Sequence, residues 1–137
     1  MIDFNKISKK PTNRKLYIEA IDDSNYKTTY IIAGYAYKCP IYKKWRGMLE
    51  RTLGTTKNAP TYANVTLCPE WYHFMPFHDW AVEQIELYGI TDFKGIHLDK
   101  DIKIPGNTEY SPEACLFVPQ EINALVSRMY DAKSRTP

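Results

Sequence analysis

Residues 98–123 of this chain read LDKDIKIPGNTEYSPEACLFVPQEIN. A short β-forming run that ends in acidic residues is followed by a loop marked by Pro105, Gly106 and Asn107, and then by a second β-forming run. An amphipathic segment from residue 119 to about residue 133 comes last. This order predicts a strand, a loop, a second strand and a helix, which together form a ββα unit at about residues 96–133.

Four polar residues in this unit are candidates for metal-dependent chemistry. Asp99 and Asn123 carry hard oxygen donors, which suit Mg²⁺ or Mn²⁺. Lys100 and His97 are candidates for proton transfer, although a free lysine titrates near pH ~10.4 and must be desolvated or placed near other cations to act as a base. Each residue also has a structural alternative. Asp99 can accept hydrogen bonds from the backbone of a turn, Asn123 can face solvent and His97 can belong to the strand edge.

The spacing of these residues resembles the HNH, or ββα-metal, nucleases. That family closes its first strand with an Asp-His pair, places an Asn before the second strand and carries an Asn or His on the helix nine positions later. In this chain Asp99 and Asn123 match the metal ligands, Lys100 stands at the general-base position and Ala114 stands at the position of the bracing Asn. The resemblance implies a metal that polarises a phosphodiester within an altered active site.

A longer part of the chain, from about residue 38 to about residue 126, is similar to small phage-encoded proteins of the HNH or homing endonuclease type. The matching blocks are residues 39–51, 60–62, 68–71, 98–102, 106–107, 110–113 and 117–118, with Phe77 and Trp80 between them. The resemblance implies double-stranded DNA as a partner. It leaves three functions open: a metal-dependent endonuclease or nickase, a catalytically inactive DNA-binding regulator, and a phage protein that binds and inhibits a host or defence protein.

The N-terminal half contains two kinds of periodic pattern. Residues 15–37 are rich in β-formers and are interrupted by the polar cluster 22–25, which predicts a β-hairpin or a small sheet. Apolar residues then recur at spacings of three and four, which predicts an amphipathic helix over residues 41–53 that begins near Pro40. Its Trp45 is interpreted as a core anchor rather than a base-stacking platform.

A second amphipathic helix is predicted from residue 75 or 76 to residue 88, with Gly89 ending it. With the hairpin, the first helix and the C-terminal ββα-metal, HNH-like unit, this predicts an α+β fold. The length of 137 residues suits a single domain. We expect residues 1–14 to form a basic flexible arm, residues 15–133 the domain and residues 134–137 a tail.

Basic residues are clustered although the net charge is only +2. Such clusters suit a phosphate backbone, whose attraction is independent of sequence and sensitive to salt. An ordinary solvated surface is the alternative. The candidate DNA-binding residues are Lys9, Lys10, Arg14, Lys15, Lys43, Lys44, Arg46 and Arg51.

The cysteines and the hydropathy of the chain argue against a disulfide-rich, zinc-binding, secreted or membrane protein. The three cysteines are widely spaced and form no Cys-x-x-Cys pair, so neither a disulfide framework nor a structural zinc site is expected. Buried free thiols in a reducing cytoplasm are the predicted state. The N-terminus lacks a hydrophobic signal core and no apolar run is long enough to cross a bilayer, which predicts a cytoplasmic protein without a membrane partner.

Overall fold

The structure is a computed structural model that describes residues 14–15, 20–54, 59 and 62–120. Within these ranges the chain forms an α+β fold of two α-helices and four small two-stranded sheets. The α+β class and the two helices agree with the prediction from the sequence. A short 3₁₀-helix, Pro69–Tyr72, precedes the second α-helix. The main elements are β1 (Arg14–Lys15), β2 (Ile21–Asp22), β3 (Thr29–Ile32), β4 (Tyr35–Lys38), α1 (Pro40–Thr52), β5 (Thr66–Leu67), α2 (Phe74–Tyr88), β6 (Ile96–Asp99), β7 (Glu109–Tyr110) and β8 (Leu116–Pro119).

The predicted N-terminal hairpin is formed by β3 and β4, which pair antiparallel. Ala33 and Gly34 close it with φ values of 51° and 82°, the positive angles that a two-residue type I′ turn requires. The polar cluster 22–25 lies elsewhere, since it begins at the last residue of β2 and continues into the segment before β3. Its first residue, Asp22, is fully buried and accepts hydrogen bonds from the Ser24 N–H and the Tyr42 hydroxyl.

Helix α1 agrees closely with its prediction. Pro40 occupies its first turn, where a missing N–H has no intrahelical partner to lose. Trp45 is completely buried and its Nε1 donates to the Trp71 carbonyl at 2.9 Å. The predicted role of Trp45 as a core anchor is therefore confirmed.

Helix α2 ends at Gly89, as predicted, in the left-handed conformation with φ 64°. Its first half is buried through an aromatic cluster in which the Trp71 ring lies 4.9 Å from Trp80, measured between centroids. Trp80 in turn lies 5.2 Å from Phe117 in β8. This chain of rings attaches the β6–β8 pair to the helical core.

Strands β6 and β8 pair antiparallel, with Asp99 opposite Leu116. The segment between them is more than a loop, because β7 pairs in parallel with β5 from the middle of the chain. The helix predicted after β8 lies outside the described residues from residue 121 onward. Asn123, Lys9, Lys10, most of the predicted arm and the tail also lie outside them, and Arg14 and Lys15 are described only as backbone of β1.

Cys39, Cys68 and Cys115 are free and buried, as predicted. Burial raises the pKa of Cys68 to about 11 and that of Cys115 to about 12. In the part of the chain that the structure describes, no helix has the length and apolarity needed to span a membrane.

Candidate functional site

A cavity of about 560 Å³ lies between α1 and the end of β6. Helix α1 contributes Lys43, Lys44, Gly47 and Arg51. Gly47 lies three residues after Lys44 and four before Arg51, which places these positions on one face of the helix, with Lys43 beside them. Residues 97–101 form the opposite side. Two groups of residues that the sequence predicted separately, basic residues of the first helix and polar residues of the ββα unit, therefore line one cavity.

Lys44 is a partly buried cation of α1. Its Nζ donates to the Ile96 carbonyl of β6 and lies 5.9 Å from the centroid of the Phe93 ring. Burial lowers the pKa of Lys44, and the nearby charges of Arg51 and Lys43 lower it further. Lys44 thus links α1 to β6, and its burial and the neighbouring cations disfavour its protonated form.

Tyr110 of β7 holds two further cations at the cavity. The Arg51 Nε donates to the Tyr110 hydroxyl at 2.9 Å, and the Arg51 guanidinium carbon lies 5.5 Å from the ring centroid. The Lys100 Nζ lies 5.9 Å from the same centroid. Burial raises the pKa of Tyr110, against the opposing effect of Arg51, so the phenol is neutral and its oxygen accepts the hydrogen bond from the Arg51 guanidinium.

Asp99 closes β6 with a largely buried carboxylate. Its Oδ2 accepts the backbone N–H of Asp101 at 3.1 Å and that of Ile102 at 2.7 Å. These bonds are the turn-stabilising alternative that the sequence left open for this residue. Burial raises the pKa of Asp99; the Ile102 N–H works against that shift and the charge of Asp101 adds to it.

The remaining polar residues of the turn have distinct partners. Lys100 Nζ lies 3.4 Å from Asp101 Oδ2, so part of its charge is compensated inside the turn. Asn107 donates from Nδ2 to the carbonyls of Lys100, at 2.9 Å, and Glu109, at 2.6 Å, which makes it a turn residue. His97 is exposed on β6 and contributes to the cavity wall.

The structure brings six of the predicted site residues to the cavity: Lys43, Lys44, Arg51, His97, Asp99 and Lys100. Arg46 is not among the lining residues. Arg46 Nη1 instead donates to the Tyr42 hydroxyl at 3.3 Å on another side of α1. The sequence did not single out Tyr62 and Tyr110 as site residues, although both line the cavity. The sequence indicated them only through the blocks 60–62 and 110–113, which resemble the phage-encoded proteins.

Among the described residues, no group of three or more His, Cys, Asp or Glu side chains is placed to hold a metal ion. The predicted ligand set of Asp99 and Asn123 is only half within the described chain. Asp99 has the appropriate hard oxygen donors, and the four basic side chains that share its cavity oppose a divalent ion unless an anion accompanies it.

Comparison with known proteins identifies no relative of this chain. No family model, curated protein or solved structure matches the chain.

Proposed function

We propose that this protein is an HNH-like protein that binds double-stranded DNA, and that the cavity beside α1 receives a phosphate group of the DNA backbone. One observation carries the proposal: Lys43, Lys44, Arg51 and Lys100 line the same cavity. Phosphate contacts of this kind supply sequence-independent affinity and position a protein on the duplex.

The cavity favours an anionic ligand because four basic side chains line it against two carboxylates, Asp99 and Asp101. Lys44 has a lowered pKa because it is buried beside Arg51 and Lys43, which means that its protonated form is disfavoured in the free protein. A phosphate among these side chains would offset their repulsion and stabilise the protonated amine. The tyrosine and backbone contacts already hold Arg51 and Lys44 in place, which lowers the entropy lost on binding.

The test is binding of a labelled duplex, followed by fluorescence anisotropy across a range of salt concentrations. We expect Lys43→Gln to weaken binding equally for unrelated duplex sequences and to reduce the slope of log K against log salt by about 1. Lys94→Gln is the matched control, since Lys94 is also exposed and lies outside the cavity lining.

The two variants have the same change of charge, so a general electrostatic effect would weaken both alike. Equal weakening by Lys43→Gln and Lys94→Gln would contradict binding at the cavity. Absence of duplex binding by the wild-type protein at low salt would contradict the proposal as a whole.

A second candidate function, metal-dependent nicking of the bound DNA, is favoured by the position of Asp99. It ends β6, pairs across to β8 and lines the same cavity as the four cations. This antiparallel pair would supply the two strands of the proposed ββα-metal unit. Asp99 and Asn123 would hold Mg²⁺ or Mn²⁺, which would supply polarisation of the phosphodiester.

The chain's own residues would bind the phosphate and handle the proton. His97 and Lys100 are the candidates that the sequence identified for proton transfer, and Lys44 would contact the phosphate through its protonated amine. Because the cavity is rich in cations, we expect a divalent ion to bind more tightly in the presence of DNA than in its absence.

Supercoiled-plasmid cleavage with Mg²⁺, Mn²⁺ or chelator tests this second function. We expect metal-dependent nicking that Asp99→Ala abolishes. Asp92→Ala is the matched control, because the Asp92 carboxylate also accepts a backbone N–H in a turn, from Lys94 at 2.9 Å. Intact plasmid with every metal, together with duplex binding that survives Asp99→Ala, would leave an inactive DNA-binding regulator as the function.

A further inference from the structure

The β3–β4 hairpin presents an aromatic face that the cavity does not use. Tyr30 pairs with Tyr37 and Ile32 pairs with Tyr35 in the antiparallel register. Paired residues, and residues two apart on one strand, lie on the same face of a sheet. Three tyrosines and one isoleucine therefore share one face of this two-stranded element.

This face is open to solvent. Tyr35 is 70% exposed, Tyr37 45% and Ile32 46%. Exposed aromatic residues that occur singly need no explanation, but a contiguous set on one face marks a binding surface. A two-stranded hairpin also has little stability of its own, so a ligand that covers this face would stabilise it.

The charge of the hairpin selects the kind of ligand. Residues 27–38 contain no acidic residue, and of their two lysines only Lys27 lies beside the aromatic face, because Lys38 alternates to the opposite face of the hairpin. The Lys27 Nζ lies 4.7 Å from the centroid of the Tyr30 ring, beside the aromatic face. A surface that combines aromatic rings with a neighbouring lysine is complementary to nucleobases joined by phosphates.

We propose that the β3–β4 hairpin is a stacking surface for unpaired nucleobases, and that it gives the protein a binding site for single-stranded DNA separate from the duplex-binding cavity. Alternate residues along β4 are roughly 6.8 Å apart, which leaves space for one base on each of Tyr35 and Tyr37. Tyrosine rings stack on any base but offer little to the hydrogen-bonding edges of a duplex groove, which Arg, Asn and Gln read.

The same chemistry disfavours a second copy of the chain as the occupant. Two hairpins meeting through this face would bring Lys27 of one copy towards Lys27 of the other without an acidic partner within the hairpin. Single-stranded DNA supplies the missing negative charge.

Anisotropy of a labelled oligothymidylate, measured alongside a labelled duplex, tests the inference. We expect Tyr35→Ala to weaken oligothymidylate binding by between about fivefold and about 150-fold, with duplex binding unchanged. Tyr35→Phe keeps the ring and is expected to bind as the wild type does. Tyr88→Ala is the matched control, because Tyr88 is 60% exposed at the end of α2, outside the hairpin.

Three results would overturn the inference: no binding of oligothymidylate at low salt, equal weakening by Tyr35→Ala and Tyr88→Ala, or wild-type affinity of Tyr35→Ala. A change in sedimentation of the free protein on Tyr35→Ala would instead assign the face to self-association. Lys43→Gln distinguishes the two proposed sites. It is expected to weaken duplex binding, whereas Tyr35→Ala should still weaken oligothymidylate binding in the Lys43→Gln background.

Discussion

Asp99 combines two roles at the scale of a single residue, since its carboxylate organises a turn and also lines the cavity. The turn requires only an acceptor oxygen, whereas any role toward a metal or a proton requires the ionised group. Because burial raises the pKa of Asp99, the folded protein holds this proton more tightly than the unfolded chain. Substitutions that keep or remove the acceptor therefore separate the two roles.

We expect Asp99→Asn to fold stably, because the amide oxygen can still accept the Asp101 and Ile102 N–H groups. Asp99→Ala removes the acceptor and is expected to lower the free energy of unfolding by about 1 kcal/mol. In the wild type, the raised pKa makes the Asp99 contribution fall as pH rises from the ordinary value of 3.8 through the raised value. Chemical denaturation across this acidic range checks both points.

The sign follows from proton binding. Between the two pKa values the native state binds more protons at this site than the unfolded state, so stability decreases with rising pH. Asp99→Asn should remove that component of the pH dependence. If the free energy of unfolding of Asp99→Asn depends on pH in the acidic range as that of the wild type does, the Asp99 carboxyl has the same pKa in the folded and unfolded states.

At the scale of elements, the two helices illustrate how local signals set helix ends. Pro40 begins α1 and Gly89 ends α2, each at the position its backbone chemistry favours. The hairpin turn is harder to predict from the sequence, because Ala33, at φ 51°, stands where a type I′ turn usually has Asn or Asp. The sequence consequently predicted the hairpin but not its turn.

Two glycine substitutions are expected to have opposite effects on stability. Gly89→Ala places a side chain at φ 64° and should destabilise the protein by about 1 kcal/mol. Gly47→Ala lies within α1, where its new Cβ would meet Arg51 Nη1 at 3.5 Å, an ordinary contact, and should stabilise by roughly 0.5–1 kcal/mol. Thermal or urea unfolding of both variants measures the difference. Destabilisation by Gly47→Ala would indicate that Arg51 cannot adjust.

At the scale of the whole molecule, distant segments complete each other's hydrogen bonds. Helix α2 receives no side-chain cap from its own N-cap residue, His73. Instead, the Asp23 carboxylate accepts the Met75 N–H at 2.7 Å from the segment between β2 and β3. Asp23 also lies 3.6 Å from the His73 ring. A negative group at this end of a helix is favoured by the helix dipole.

We expect Asp23→Ala to lower the free energy of unfolding by about 1 kcal/mol, as loss of a helix cap does. Asp23→Asn keeps an acceptor for Met75 and should recover much of that loss. Urea denaturation followed by tryptophan fluorescence suits this measurement, because Trp71 is buried in the core beside α2. Equal stability of Asp23→Ala and the wild type would remove the capping role.

The sequence by itself determined the α+β class, the positions of α1 and α2 and the anchoring role of Trp45. These features follow from periodicity, proline and glycine within a few residues of each element, which act before any distant contact forms. Only the tertiary structure decided the parallel pairing of β5 with β7, the capping of α2 by Asp23 and the meeting of α1 with residues 97–101 in one cavity. Each joins segments far apart in the chain, and such contacts depend on how the whole core packs rather than on any local pattern.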